Sequence, residues 1–150
     1  MRALIRRVLG ADVKVNGNVI GEISSGLVVY LGVEEDDEES DLLWVVNKIL
    51  GLRIFEDDEG LMNQSVSDSY GILVISQFTL FGNLKKGFRP SFNRAAKAEK
   101  GEKFYLRCID LIRANFTGKL ENGQFGADMK VSSVDDGPVT IWLDSRNRNY

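Results

Sequence analysis

Histidine is absent from the 150-residue sequence, and cysteine occurs only once, as Cys108. Without histidine, no serine, threonine or cysteine can be activated by the imidazole base that many hydrolases use. The usual zinc ligand sets are excluded for the same reason, so we expect no metal and no cofactor. A single cysteine cannot form an internal disulfide, which is typical of a protein in the reducing cytoplasm.

Long apolar runs and an excess of basic charge are also missing. No segment approaches the ~20 apolar residues of a membrane span, and the start, M-R-A-L-I-R-R-V, is too interrupted by arginine for a signal peptide. The net charge of −3 argues weakly against general nucleic-acid binding, although a local basic patch can still bind RNA. With 43% hydrophobic and 27% charged residues, the chain is typical of one globular domain, residues 1–150.

Short apolar segments separated by turn signals predict an α+β fold. Asn16-Gly17 marks a hairpin between two strands, and residues 27–33 have the apolar character of a strand buried on both faces. We expect a curled antiparallel or mixed sheet, or a barrel, with two main helices packed outside. The further predicted strands are 53–55, 72–76, 125–134 and 138–143.

Two amphipathic segments supply the helices. The acidic residues 34–39 favour a helix N-terminus, because negative charge suits the positive end of the helix dipole. A calcium site is disfavoured, because these residues lack the glycine-punctuated ligand spacing of a calcium loop. The helix that follows ends at Gly51. A second helix is predicted to begin between Ser91 and Arg94 and to end near Phe116. Its apolar stripe contains Phe104, Cys108, Leu111 and Ile112, which predicts a buried, unreactive cysteine.

The strand at 72–76 ends in polar residues, S-Q-F-T-L at 76–80. These groups can satisfy backbone atoms at a strand end. Alternatively, they form a site in which Thr79 is a nucleophile or backbone N–H groups stabilise an oxyanion. Because no histidine is available to activate Thr79, the nucleophile hypothesis is the weaker one.

Two more stretches allow either a functional or a structural interpretation. In L-K-K-G-F-R-P-S-F-N-R, residues 84–94, basic and aromatic residues alternate; such a segment can bind phosphates and stack on unpaired bases, or it is a solvated loop. In D-D-G-P-V-T, residues 135–140, proline excludes a helix and is compatible with the start of an edge strand. Composition alone favours a trans bond there, since only about 5–6% of X–Pro bonds are cis.

Together, four motifs resemble the D-aminoacyl-tRNA deacylase family: S-Q-F-T-L at 76–80, R-P-S-F at 89–92, F-G-A-D-M at 125–129 and D-G-P-V-T at 136–140. The resemblance implies a barrel-like subunit that works as a homodimer in the cytoplasm. Such an enzyme hydrolyses the ester between a D-amino acid and the terminal adenosine of tRNA. It also removes glycine mischarged onto alanine tRNA.

The resemblance also implies how the wrong enantiomer is rejected. In the family, the pair matching Gly137 and Pro138 has a cis peptide bond and enters the active site of the other subunit. Its carbonyl oxygens would accept hydrogen bonds from the substrate ammonium group and leave no room for an L side chain. Arg7 is expected to support this pair.

The remaining site residues follow from the same resemblance. Ser76, Gln77, Phe78 and Thr79 would line the ester and adenosine pocket, with Phe125, Ala127 and Met129 in its wall. Catalysis would come from the tRNA 2′-OH and the backbone N–H groups of Phe78 and Thr79, while a role for the Thr79 side chain is doubtful. The composition of residues 84–94, and not the resemblance, supplies the residues expected to contact tRNA: Lys85, Lys86, Arg89 and Arg94.

The sequence departs from the family in two places and leaves two rival functions open. Asp135 stands where members commonly have asparagine, and Gly82 where many have alanine. The polar segment 144–150 is expected to be a frayed tail. One rival is a non-catalytic RNA-binding barrel protein. The other is a hydrolase of another acyl ester that uses Thr79 or a carboxylate.

Overall fold

The computed structural model of the chain describes residues 1–149. Two helices pack on a sheet of six strands. The chain between the first helix and the sixth strand forms a separate two-stranded ribbon. The elements are β1 (Arg2–Val15), β2 (Asn18–Ile23), β3 (Gly26–Gly32), α1 (Glu39–Gly51), β4 (Phe55–Glu56), β5 (Met62–Gln64), β6 (Gly71–Ser76), a short 3-10 helix (Phe78–Phe81), α2 (Ala98–Asn115), β7 (Lys119–Asn122) and β8 (Met129–Asp144).

The sheet is mixed and curls on itself. β1 pairs antiparallel with β8 along one edge and with β2 and β3 along the other, while β3, β6 and β7 are parallel. The curl brings β2 near β7: a Cβ added to Gly21 would lie 3.2 Å from the Asn122 carbonyl oxygen. The predicted α+β fold, a curled mixed sheet with two helices packed outside it, is confirmed.

The sheet buries apolar side chains on both faces, and β3 shows why. Leu27 and Val29 point into the cluster shared with the helices, whereas Val28 points into a second cluster on the opposite face. This confirms the prediction of a strand buried on both sides. The first cluster also contains Ile5, Leu42, Ile49, Ile72, Cys108 and Ile112, and the second contains Val8, Val13, Ile23, Leu73 and Ile75.

The predicted hairpin turn after β1 and the predicted start and end of α1 are confirmed. Asn16 and Gly17 have positive φ angles of 50° and 81°, the conformation of a tight hairpin turn, and join β1 to β2. At the start of α1, the Glu38 N–H donates a 3.0 Å hydrogen bond to the Asp41 carboxylate. This acidic start suits the positive end of the helix dipole, and α1 ends at Gly51 as predicted.

The second helix begins later than predicted, at Ala98. Residues before it bond to the segment that follows β3 instead: the Ala96 N–H donates to the Val33 carbonyl at 2.9 Å, and the Glu35 N–H to the Arg94 carbonyl at 3.2 Å. Its fully buried face consists of Gly101, Tyr105, Cys108, Ile109 and Ile112, so Phe104 and Leu111 are only half-buried at its margins.

One continuous strand, β8, replaces the two predicted at 125–134 and 138–143, and residues 125–128 form a turn. Its pairing with β1 shifts from Arg6↔Thr140 to Val8↔Asp135. Residues 136–139 therefore bulge opposite Arg7 alone. The strand continues because pairing with β1 resumes on both sides of this bulge.

The segment from Asp144 to Asn149 is held against the fold, which differs from the frayed tail expected for 144–150. The Ser145 N–H donates to the Met1 carbonyl at 2.9 Å, and Arg148 Nη2 lies 3.5 Å from the Asp41 carboxylate. Burial of Asp37 and Asp41 beneath this segment gives its arginines acidic partners. Tyr150 lies outside the described residues.

Candidate active site

A cavity of about 250 Å³ opens where β3 and β6 end. The two parallel strands stop side by side, with Leu31 opposite Ser76, and the start of α2 and the turn after β7 close the other walls. The lining is mostly apolar with a polar mouth, as is usual for sites that bind small organic groups. It consists of Leu31, Val33, Ser76, Gln77, Phe78, Ala96, Ala98, Gly101, Tyr105, Phe125 and Gly126.

The polar mouth is formed by the end of the S-Q-F-T-L segment. The Gln77 N–H donates to the Leu31 carbonyl at 2.7 Å, which fixes the chain as it leaves β6. The Gln77 side-chain amide donates a hydrogen bond to the Thr79 hydroxyl. Thr79 is exposed and lies outside the cavity lining, so its hydroxyl is not directed at the bottom of the pocket.

The 3-10 helix that follows presents free backbone donors at this mouth. Its first helical hydrogen bond runs from the Leu80 N–H to the Gln77 carbonyl, at 3.3 Å. The N–H groups of Phe78 and Thr79 precede that bond, and neither has an acceptor among residues 1–149. Two adjacent free N–H groups can stabilise an oxyanion that develops beside them.

Two aromatic rings form the apolar wall. Phe125 and Tyr105 have ring centroids 5.9 Å apart, and the Tyr105 hydroxyl lies 2.9 Å from the Val74 carbonyl and 3.1 Å from that of Gly123. Burial raises the pKa of Tyr105 well above its usual value, so the phenol remains neutral. Sequence reasoning missed Tyr105, although its position three residues before Cys108 places it on the same helical stripe.

The predicted site residues divide into two groups. Ser76, Gln77, Phe78 and Phe125 line the cavity together. Ala127 and Met129 do not line it; Met129 packs against the second apolar cluster on the other face of the sheet. Because Met129 begins β8, its side-chain direction follows the alternation of that strand.

Gly137 and Pro138 lie in the β8 bulge, and the bond between them is cis. Both residues are exposed, and neither lines the cavity of its own chain. Arg7 is buried beneath them: its Nη1 donates to the Ile54 carbonyl at 2.6 Å, and its Nε lies 3.0 Å from the Asp136 carboxylate without hydrogen-bond alignment. Arg7 thus contacts the residue before Gly137.

The basic residues of the 84–94 segment differ in their surroundings. Arg94 is engaged, since its Nε lies 2.6 Å from the Glu34 carboxylate. Lys85, Lys86 and Arg89 are exposed and have no acidic partner within the described part of the chain. The structure therefore leaves three cations of this segment available to an anionic ligand.

Other catalytic chemistries find little support in the described residues. Residues 1–149 contain no group of three or more carboxylate and cysteine side chains that could hold a metal ion. Burial raises the pKa of the Cys108 thiol to about 12, so it is not a thiolate nucleophile. Among residues 1–149, no helix is both long and apolar enough to cross a membrane.

Comparison with known proteins gives one consistent family. The model of the family described as D-Tyr-tRNA(Tyr) deacylase matches residues 4–144. A protein of Thermosipho melanesiensis named "D-aminoacyl-tRNA deacylase" is 51% identical over 97% of this chain and 98% of its own, and one of Geobacter sulfurreducens with the same name is 52% identical over 99% and 98%.

Solved structures share the same architecture. One named "c-Myc DNA Unwinding Element Binding Protein" superposes with a TM-score of 0.91 and 41% identity, over 96% of this chain and 98% of that one. Another, named as a probable eukaryotic D-amino acid tRNA deacylase, has a TM-score of 0.81 at 18% identity, over 95% and 97% of the two chains, and shows the fold alone.

Proposed function

The chain belongs to the D-Tyr-tRNA(Tyr) deacylase family, and from that membership we propose how its cavity works. The protein is a hydrolase of the aminoacyl-tRNA ester, with D-aminoacyl-tRNA as its substrate. The observation that carries the proposal is the cavity at the ends of β3 and β6, because the motif S-Q-F-T-L forms its mouth. We place the aminoacylated adenosine there, with the ester beside Phe78 and Thr79.

The oxyanion is stabilised by backbone groups in this proposal. The free N–H groups of Phe78 and Thr79 donate to the carbonyl oxygen as water attacks the ester carbon. The bond from that carbon to the ribose oxygen then breaks, and the ribose oxygen takes up a proton given up by the water. The 2′-OH of the terminal adenosine positions or activates that water. This assignment is supported by the absence of histidine from the sequence and by the Thr79 hydroxyl being engaged with Gln77 outside the cavity lining.

Chirality is read by Gly137 and Pro138 of a second subunit. Their exposure, and their absence from the cavity of their own chain, support a role in the cavity of a partner. Backbone carbonyls there accept hydrogen bonds from the α-ammonium group and exclude an L side chain. Glycine has no side chain to exclude, so glycine on alanine tRNA is a substrate as well.

The homodimer is supported by the free edge of β8. This strand pairs with β1 on one side only, and no strand of residues 1–149 covers its other edge. Leu9 and Val134 of β1 and β8 are also more than half exposed, and Trp142 of β8 is 38% exposed. A long uncovered edge with exposed apolar residues favours contact with another chain.

The RNA is held by basic residues beside the cavity, with cytoplasmic tRNA as the partner. We assign phosphate contacts to Lys85, Lys86 and Arg89, which are free of acidic partners within residues 1–149. Arg94 is the fourth predicted contact, and it would have to exchange its ion pair with Glu34 for a phosphate. The cytoplasm follows from the substrate, since translation consumes aminoacyl-tRNA there.

The proposal is tested by incubating the protein with D-tyrosyl-tRNA and L-tyrosyl-tRNA and following loss of each ester. We expect hydrolysis of the D ester only. A D-tyrosyl-tRNA ending in 2′-deoxyadenosine, charged on its 3′-OH, should react far more slowly. Equal rates on the two enantiomers would contradict the proposed selection of chirality by Gly137 and Pro138. Binding of the tRNA without hydrolysis would favour an RNA-binding barrel protein. Full activity on the deoxy substrate would remove the role of the 2′-OH.

A further inference from the structure

A small lobe, residues 83–91, projects beside the cavity mouth. Its two ends are joined by a pair of backbone hydrogen bonds: the Asn83 N–H donates to the Ser91 carbonyl at 2.8 Å, and the Ser91 N–H to the Asn83 carbonyl at 3.0 Å. The chain reverses near Gly87, whose φ of +71° suits glycine. The 83–91 lobe is therefore closed at its base and presents its tip outward.

Phe88 at this tip is fully exposed, with a relative accessibility of 102%. A ring in this position contributes nothing to the core, and it is the most exposed large hydrophobic residue of the described chain. Phe92, at the base, behaves differently: it is half-buried and packs edge-on against Phe78, with centroids 5.1 Å apart. The two aromatic residues of the segment thus have different surroundings, and folding accounts only for Phe92.

The charge of the lobe adds a second observation. Lys85, Lys86 and Arg89 flank Phe88 and lack acidic partners among residues 1–149, although the chain as a whole has a net charge of −3. A fully exposed ring among unpaired cations is the composition of surfaces that bind single-stranded nucleic acid, where rings stack on bases and cations bind phosphates.

The lobe also lies beside the mouth of the cavity. Phe92, the residue directly after the lobe, packs on Phe78 of the 3-10 helix, and Phe78 lines the cavity. Phe88 is three residues from Ser91, so it lies within about 10 Å of the lobe base. Nucleotides that precede a terminal adenosine bound in the cavity would pass this tip.

We propose that Phe88 stacks on an unpaired base that precedes the terminal adenosine, while Lys85, Lys86 and Arg89 bind the adjoining phosphates. The proposal rests on the function argued above and adds a base contact outside the cavity. Unpaired ends of RNA expose base faces, and every base has such a face. The contact therefore holds the end of the RNA strand without reading its sequence.

The test compares two RNA hairpins, one ending in an unpaired A-C-C-A and one cut back to its last base pair. The dissociation constant of each is measured for the wild-type protein, Phe88→Ala, Phe88→Leu and Phe88→Trp. We expect Phe88→Ala to weaken binding of the overhanging hairpin by ~5-fold or more. Phe88→Leu should lose nearly as much, Phe88→Trp should retain affinity, and the blunt hairpin should bind all four equally.

Leu61→Ala is the matched control, because Leu61 is 59% exposed in the β4–β5 turn and does not line the cavity. It should bind both hairpins as the wild type does. Substituting Lys85 and Lys86 together by glutamine should flatten the salt dependence of overhang binding, by ~0.7 in log–log slope for each phosphate that the variant no longer binds.

Three results would overturn the stacking role of Phe88. The first is that Phe88→Ala binds the overhanging hairpin as tightly as the wild type does, and the second is that it loses affinity equally for both hairpins. The third is that the molecular mass of Phe88→Ala in solution differs from that of the wild type, which would assign the ring to a protein contact. Failure of the proposed function is detected separately, since it requires that the wild-type protein leave D-tyrosyl-tRNA intact. Thermal melting of each variant verifies that it is folded.

Discussion

At the residue scale, Thr79 offers the sharpest separation between side-chain and backbone catalysis. Thr79→Ala removes the hydroxyl but keeps the N–H, and we expect the rate of D-tyrosyl-tRNA hydrolysis to change by less than ~10-fold. Thr79→Pro removes the N–H at a position in the first turn, where that group has no helical partner. Loss of one oxyanion donor should lower the rate by ~10²- to 10³-fold.

Single-turnover rates at saturating enzyme measure this difference, and thermal melting shows whether the proline variant is folded. A loss of ~10³-fold or more in Thr79→Ala would instead assign the chemistry to the hydroxyl. The hydrogen bond from Gln77 to this hydroxyl makes that outcome unexpected, because it holds the oxygen at the exposed side of the mouth.

Cys108 gives a prediction for stability at high pH. Burial raises the pKa of its thiol from 9.0 to about 12 in the folded state, so the unfolded chain releases the proton first. The free energy of unfolding should therefore fall between about pH 9 and pH 12, by at most about 1.4 kcal/mol per pH unit for one group. Below pH 9 the thiol is protonated in both states and the effect disappears.

Urea unfolding of the wild type and Cys108→Ala at several pH values measures this slope. The variant should lose less stability per pH unit, and Tyr105, whose pKa is also raised, should account for part of the remaining slope. Parallel curves for the two proteins would contradict the assignment to Cys108. The comparison uses slopes because removing the sulfur also leaves a small cavity, which lowers stability at every pH.

At the scale of elements, local signals predicted what depends on neighbours in the chain. The Asn16-Gly17 turn, the acidic start of α1 and the two-faced burial of β3 follow from backbone preference and apolar pattern, and all are present. Such signals depend on only a few neighbouring residues, so they can be recognised in a single sequence.

Boundaries set by distant contacts were not predictable in the same way. The start of α2 moves to Ala98 because the preceding residues hydrogen-bond to Val33 and Glu35, far away in sequence. β8 stays one strand through its bulge because β1 pairs with it on both sides. The pairing of β3 with β6 begins at Gly26 and Gly71, where a Cβ on Gly26 would lie 1.9 Å from the Gly71 carbonyl oxygen. Contacts between residues so far apart in the sequence cannot be recognised from a pattern of neighbouring residues.

The candidate site divides along the same line. The motif 76–80 identified the polar mouth, because hydroxyl and amide side chains at a strand end are visible in sequence. The part of the cavity lining that Gly101 and Tyr105 supply requires the packing of α2 against the sheet. Phe125 was found through the family resemblance rather than through its own pattern. Lining residues that resemble ordinary core are recognisable only once the cavity is seen.

At the scale of the whole molecule, one chain holds the parts of the proposed site in two separate places. The cavity lies at the ends of β3 and β6, whereas Gly137 and Pro138 are exposed on β8 and do not reach it. If both parts are needed, a two-fold symmetric pair of chains completes two sites, each with the cavity of one subunit and the bulge of the other.

Mixed dimers test this arrangement. Ala98→Trp fills the cavity, and the double variant Gly137→Ala/Pro138→Ala alters the bulge; each homodimer should fail to hydrolyse D-tyrosyl-tRNA. When the two are unfolded together and refolded at equal ratio, half the dimers are mixed, and each mixed dimer holds one intact cavity facing one intact bulge. We expect about a quarter of wild-type activity to return. If the bulge serves the cavity of its own chain, every site in the mixture carries a defect and no activity returns, while wild-type protein refolded alone controls for recovery.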